Sequence, residues 1–210
     1  MKNTIDSIIF DVDGTLWDIT GTVADAWTDY IRSNSRYDTV ITPEKLKGLF
    51  GKTLPNIAAI LFPEDPVERQ LELVYGCTDA EHEVLLRTAV PPIYEGLEQA
   101  LQILSEKYPL FIVSNCQAGY IEVFLKVTGF GRYFRGHLCP GDTGCAKAEN
   151  IRRIVADNEL LHPVYVGDTD GDHNACLESG VPFVYADYGF GQTEKPDYVI
   201  HEIMDLTKLF

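Results

Sequence analysis

The sequence predicts an α/β fold, a parallel sheet covered by helices on both faces, with a helical block inserted after the first strand. Three observations carry that prediction. From residue 94 to the end, short apolar runs alternate with segments of helical period, and strands that alternate with helices form parallel sheets. One buried-strand run, IDSIIF at 5–10, stands apart from that rhythm near the N-terminus. Between 16 and about 90, apolar residues recur at helical spacing and strand signal is sparse.

Taken in order, the strand at 5–10 stops at Asp11-Val12-Asp13-Gly14. Residues 20–33 read as a helix, because Val23, Ala26, Trp27, Tyr30 and Ile31 fall on one apolar face. Thr42-Pro43-Glu44-Lys45 opens a second helix, with Thr as the cap and Pro in the first turn. Residues 54–62 and 66–88 continue the helical period until Val90-Pro91-Pro92 breaks it. A helix at 94–107 then leads to a strand at 110–114. A helix at 118–128 and a weak strand near 137–139 follow. The pattern repeats with a helix at 147–158, a strand at 163–167, a helix at 171–179 and a strand at 181–186. A short strand at 197–200 precedes a C-terminal helix.

Composition narrows the function classes. With 45% hydrophobic and 23% charged residues, the chain is neither collagen-like nor disordered. Its 210 residues suit one domain carrying an insert. The formal charge of -15 disfavours nucleic-acid binding, which runs on phosphate neutralisation by Lys and Arg. An acidic protein that handles anions needs a metal or a local cation to offset its own field. The five cysteines form no CxxC pair, so neither a disulfide framework nor a zinc ribbon is expected. That usage fits a reducing cytosol, and a cytoplasmic location is expected. The N-terminal apolar run Ile8-Ile9-Phe10 is too short for a signal peptide, and no apolar stretch is long enough to span a membrane.

Ligands of such sheets bind at the carboxyl ends of the strands, near a switch point. The polar residues at those ends are therefore the candidate site: Asp11 and Asp13, Ser114 and Asn115, and Asp168, Asp170 and Asp172. Lys147 opens a helix 21 residues before Asp168. Clustered carboxylates are costly unless a cation sits among them. Oxygen ligands beside a phosphate suit Mg²⁺, and apart from His173 the set lacks the Cys and His ligands that zinc favours. A carboxylate can attack phosphorus and form an aspartyl-phosphate, a second can shuttle the proton, and Mg²⁺ with Lys can neutralise the transferring group.

Four motifs in order resemble the haloacid dehalogenase-like superfamily of phosphohydrolases. They are Phe10-Asp11-Val12-Asp13-Gly14-Thr15, Val113-Ser114-Asn115, Lys147, and Val166-Gly167-Asp168-Thr169-Asp170-Gly171-Asp172. The resemblance implies a three-layer Rossmannoid core over 1–15 and 91–210, and an α-helical cap of the C1 type over 16–90. It makes Asp11 the nucleophile and Asp13 the general acid/base, with Asp13 also a metal ligand through its carbonyl. Ser114, and with it Asn115, would bind the phosphoryl group, and Lys147 would pair with nucleophile and phosphate. Asp11, Asp168 and Asp172 complete the implied metal set. The insert and the Tyr188-Gly189-Phe190-Gly191 turn are similar to phosphoglycolate phosphatase-like and β-phosphoglucomutase-like members. Asp13 weighs against dehalogenation, since true dehalogenases lack the second acid. Val23 holds the place, twelve residues after the nucleophile, where the mutases carry a hinge His.

Blander readings compete for several residues. The Asp168–Asp172 run is not a calcium loop, because His173 and Ser179 hold the places of its Gly and Glu. Asp170 reads as a helix cap. Gly51-Lys52-Thr53 lacks the first Gly of a P-loop, where Leu46 stands, and reads as a turn of the insert facing the site. Lys52 is then a substrate-contact candidate, with a solvated lysine as the alternative. Trp17 reads as lid wall or core, Cys116 as a small core residue, and His173 as an exposed neighbour of the metal edge.

The expected function is a Mg²⁺-dependent phosphatase acting on a small phosphorylated metabolite, as a monomer or homodimer, with neither nucleic acid nor membrane as partner. The alternatives are phosphoryl transfer as in a sugar-phosphate mutase, pyrophosphate or nucleotide hydrolysis, and a phosphate-binding regulatory module.

Overall fold

A computed structural model describes residues 4–210. Strand β1 (Ser7–Phe10) is buried on both faces, as a central parallel strand must be. The chain then leaves for four helices: α1 (Thr20–Asn34), α2 (Pro43–Lys47), α3 (Leu54–Leu61) and α4 (Val67–Arg87). It returns at 91–94 beside its own exit. Asp18 N donates to Pro92 O at 2.9 Å, Tyr94 N donates to Leu16 O at 3.3 Å, and Trp17 bridges to Ile93. The helical insert is thus tied to the sheet by two adjacent chain segments.

Helix α1 shows where periodicity needs correcting. Its buried stripe is Thr20, Val23, Ala24, Trp27, Thr28 and Ile31, turned slightly from the apolar face of the sequence. Two threonines sit in that stripe. Thr28 is buried at no polar cost, because its hydroxyl donates to Ala24 O at 3.0 Å and accepts from Ile41 N at 2.9 Å. The α2 cap is as expected: Thr42 accepts from Lys45 N at 3.2 Å, with Pro43 in the first turn.

The remaining elements alternate. They are α5 (Leu97–Ser105), β2 (Leu110–Val113), α6 (Tyr120–Thr128), β3 (Phe134–Leu138), α7 (Pro140–Thr143), α8 (Lys147–Asp157), β4 (Pro163–Gly167), α9 (Asp170–Ser179), β5 (Phe183–Ala186), β6 (Tyr198–Ile200) and α10 (Leu206–Leu209). All strand pairs are parallel, in the order β3-β2-β1-β4-β5-β6. The order reverses between β1 and β4, which makes their carboxyl ends the switch point. Ile8 and Phe10 face a core shared with α5, α6 and the insert; Ile9, Phe111 and Tyr165 face α8 and α9. This is a three-layer sandwich.

Three expectations shift. Strand β3 runs over Phe134–Leu138 rather than 137–139, at an edge where Arg135, Gly136 and His137 interrupt the apolar pattern. Helix α9 starts at Asp170, and its cap is Thr169, so Asp170 is the first helical residue rather than the cap. His173 is half-buried rather than exposed, stacked on Phe183 at 5.1 Å. Among the described residues, no helix is long and apolar enough to cross a membrane.

Candidate active site

Asp11 is the first residue past β1. Its N–H donates to Val166 O at 2.8 Å, which fixes it against β4. Lys147 opens α8 and is itself 4% exposed; its Nζ donates to Asp11 Oδ1 at 2.9 Å and to Asp172 Oδ1 at 2.6 Å. Ser114, one residue past β2, is buried and its side chain hydrogen-bonds the Asp11 carboxylate. Asp172 is held from several directions. Its Oδ2 accepts from Thr169 N at 3.0 Å, Thr169 Oγ1 at 2.7 Å and Asp168 N at 3.2 Å, a capping box that fixes the start of α9.

Asp168, just past β4, is fully buried. Phe190 N donates to its Oδ2 at 2.7 Å, which brings the 188–191 turn into the site. Two glycines make room for this carboxylate. Gly14 has φ +78°, and a Cβ there would stand 2.1 Å from Asp168 Oδ2. A Cβ on Gly189 would lie 2.3 Å from Asp168 Cβ and 2.5 Å from Gly14 O. Neither position accepts a side chain without moving the site.

Burial pushes the Asp11 carboxyl up to about 6, with Lys147 pulling it down and Asp172 pushing it further up. Burial, then Asp172 and Asp11, raise Asp168 well above the ordinary carboxylate range. For Lys147, burial favours the neutral amine, but Asp11 and Asp172 outweigh it and keep the ammonium charged. One carboxylate oxygen from each of Asp11, Asp168 and Asp172 falls within 4.8 Å of the others. Among the described residues Lys147 is the only buried Lys or Arg, so these acids exceed the cations available to them. All-oxygen donors with unbalanced negative charge fit a hard divalent cation.

Asp13 lies beside this cluster. Its Oδ1 accepts from Trp17 Nε1 at 3.0 Å and from Tyr120 OH at 2.5 Å. Burial pushes its carboxyl up to about 7, against the pull of the Tyr120 hydrogen bond and with the help of Asp11. Trp17, read from sequence as lid wall or core, is fully buried and also orients Asp13. Asn115 Nδ2 donates to Gly51 O at 3.0 Å, tying the end of β2 to the insert. Its Oδ1 is buried without a partner. Lys52 is exposed and lines an outer cleft of about 460 Å³ with Lys47, Asn115, Thr169 and Phe190, away from the Asp11–Lys147 pair. Asp170 lines the same cleft rather than the carboxylate cluster.

Some side chains join the site without a motif to mark them. Tyr120 and Tyr165 are apolar-looking positions in a helix and a strand, yet Tyr165 OH reaches Val113 O at 2.6 Å and Asp172 Oδ1 at 3.4 Å. Glu81 left a fainter trace. It falls in register with Val74, Cys77, Thr78 and Leu85 on the buried stripe of α4, an acid where the helical period calls for a core residue. Trp27 Nε1 donates to its Oε2 at 2.9 Å. Burial, then the nearby Asp13, hold its carboxyl well above the ordinary range.

The ordered motifs, now seen converging at the switch point, agree with a family model for haloacid dehalogenase-like hydrolases that matches residues 8–186. The chain belongs to that family. A phosphoglycolate phosphatase from Rhodobacter capsulatus is 24% identical over 194 residues, covering 89% of this chain and 86% of that protein. The fold is similar to that of a haloacid dehalogenase-like hydrolase from Streptococcus pneumoniae, with a TM-score of 0.82, 20% identity and 97% of each chain covered. It is also similar to CbbY from Rhodobacter sphaeroides in complex with phosphate, with a TM-score of 0.80, 15% identity, and 97% of this chain and 96% of that chain covered.

Proposed function

We propose that this hydrolase is a Mg²⁺-dependent phosphatase that cleaves a small phosphomonoester through a phosphorylated Asp11. The observation that carries the reading is the Asp11–Lys147–Asp172 chain of ion pairs, at 2.9 and 2.6 Å, buried beside Asp168 and Asp13 at the switch point. An Asp11 oxygen attacks phosphorus, and the bond from phosphorus to the ester oxygen breaks. Asp13, whose proton affinity burial raises so that a proton can reside on it near neutrality, gives that proton to the departing alkoxide. Water then attacks the phospho-aspartate, Asp13 takes its proton, and inorganic phosphate leaves. Ser114 and Asn115 hold the phosphoryl oxygens, Lys147 neutralises them and orients Asp11, and Asp172 positions Lys147. Mg²⁺ bound by Asp11, Asp168, Asp172 and the Asp13 carbonyl would supply charge neutralisation on the phosphoryl group.

Residues 16–90 act in this reading as a cap over a core formed by 1–15 and 91–210, closing through the paired segments at Trp17 and Ile93. Lys47 and Lys52 draw an anionic substrate into the cleft, and Lys52 contacts it there. Val23 is buried and apolar, which supports transfer to water rather than to a second substrate hydroxyl. The catalytic fold acts in solution on small molecules in the cytoplasm, as a monomer or homodimer.

Phosphate release from a panel of small phosphomonoesters, with Mg²⁺ and with chelator, tests the reading. Release should need the metal, and Asp11→Asn should abolish it while the melting curve stays cooperative. Undiminished turnover in Asp11→Asn would overturn the mechanism.

A further inference from the structure

A second, smaller cavity lies beside Asp13, between α1, α4 and the 50–54 turn on one side and the ends of β2 and α6 on the other, and it opens toward the outer cleft at Lys52. Its volume is about 20 Å³, room for about one water molecule. In the proposed reaction Asp13 protonates the departing oxygen, so the alcohol half of the ester must lie against Asp13 and enter this space. The space therefore admits one terminal group about the size of a water, such as an ammonium, and the chain joining that group to the ester oxygen is short.

The chemistry of the walls says what those atoms carry. Glu81 is 3% exposed, and its electrostatic neighbours are Asp13, Trp27 and Gln117, with no cation among them. Asn115 Oδ1 is a buried acceptor without a donor, and the bond from its Nδ2 to Gly51 O fixes the amide in that orientation. Trp27, Phe50 and Tyr120 add aromatic rings, Trp27 and Phe50 meeting edge-on at 6.1 Å. Lys52 is the one cation on the lining, and it is an exposed side chain shared with the outer cleft. Buried acceptors, a carboxyl without a counterion and aromatic faces together suit an ammonium group. A carboxylate in the same space would oppose any ionisation of Glu81 and leave Asn115 Oδ1 facing another acceptor, whereas an ammonium favours the ionised Glu81 and gives Asn115 Oδ1 a donor.

Resting on the phosphatase reading above, we propose that the substrate is the phosphate monoester of a small amino alcohol, with Glu81 and the surrounding rings binding its ammonium group. Glu81 then determines specificity, and a phosphorylated hydroxy acid such as phosphoglycolate is a poor substrate, in contrast to what the name of the Rhodobacter capsulatus relative denotes.

The experiment compares kcat/KM for three esters on one two-carbon frame: phosphoethanolamine, 2-hydroxyethyl phosphate and phosphoglycolate. Acetyl phosphate serves as a substrate that does not need the cavity contacts. The wild-type protein should prefer phosphoethanolamine to each of the others by about tenfold or more, the size of one hydrogen bond to a charged group. Glu81→Gln, which keeps the shape and the Trp27 contact, should cut that preference by about tenfold, mainly through KM. Preference for phosphoglycolate or for the neutral glycol ester overturns the inference while leaving the phosphatase reading intact. An unchanged preference in Glu81→Gln overturns it as well. Turnover of no ester, acetyl phosphate included, overturns the phosphatase reading and this inference with it. The wild-type comparison decides the question even if the variant fails to fold.

Discussion

Lys147 shows how differently a charge counts when buried. Arg87 and Glu83 pair at 3.4 Å on the surface of α4, with 78% and 69% of their side chains exposed, and such a pair contributes at most about 1 kcal/mol. Lys147 pairs with Asp11 and Asp172 where all three are buried. Removing it leaves two buried carboxylates facing Asp168 without a counter-charge, and breaking a buried pair in this way costs roughly 3–5 kcal/mol. Lys147→Met keeps the apolar stem, so the loss isolates the charge. We expect that loss in urea unfolding with chelator present. Saturating Mg²⁺ should return part of it, because an ion that binds only the native state stabilises that state. A variant as stable as wild type in chelator would show that Asp11 and Asp172 do not depend on Lys147.

Among the elements, what was legible in the sequence follows from how strongly each one's pattern is forced. Strands β1, β2 and β4 are buried on both faces, so they read as unbroken apolar runs and fell where expected. The acids past their ends were legible for the same reason: a carboxylate after such a run stands out. Strand β3 begins before its apolar signal because it pairs on one side only and carries polar residues. The four-residue α7 is too short to show a period. Tyr120, Tyr165 and Glu81 escaped because each sits where packing is the ordinary explanation, and only the fold shows which polar atom meets them. Helix α9 joins the two levels, since Asp172 serves both as its capping partner and as the anchor of Lys147. Thr169→Val removes the hydroxyl that donates to Asp172 at 2.7 Å and accepts its N–H at 3.2 Å. The expected cost is about 1 kcal/mol, as for loss of an N-cap. A loss below roughly 0.3 kcal/mol, read from the denaturation midpoint, would mean the box is dispensable.

For the molecule as a whole, the site stores unfavourable electrostatics that should appear in its response to pH. Burial first, and neighbouring acids second, hold Asp13 near 7 and keep Asp168 and Glu81 well above their ordinary values. Asp11 is held near 6 by the same burial, moderated by Lys147. Carboxyls whose folded pKa is raised bind more protons in the native state than in the unfolded state between about pH 4 and 7. The slope of unfolding free energy with pH follows the difference in bound protons, unfolded minus native, and is therefore negative across that window. Asp6, Asp18, Glu44 and Asp205 have lowered values, so their contributions are gained below it, by the unfolded carboxylate range. His82, held down by burial, opposes the trend over its upper part. Without divalent ions the protein should therefore be more stable near pH 5 than near pH 7, by a few kcal/mol at most. Mg²⁺ binds the ionised acids and should flatten the slope, which separates the site from the general repulsion of a chain with formal charge -15. Urea midpoints at pH 5, 6 and 7, in chelator and in Mg²⁺ at matched ionic strength, measure both effects. A higher midpoint at pH 7 than at pH 5 in chelator would mean that these carboxylates are better solvated than their burial implies, and the case for a cation among them would weaken with it.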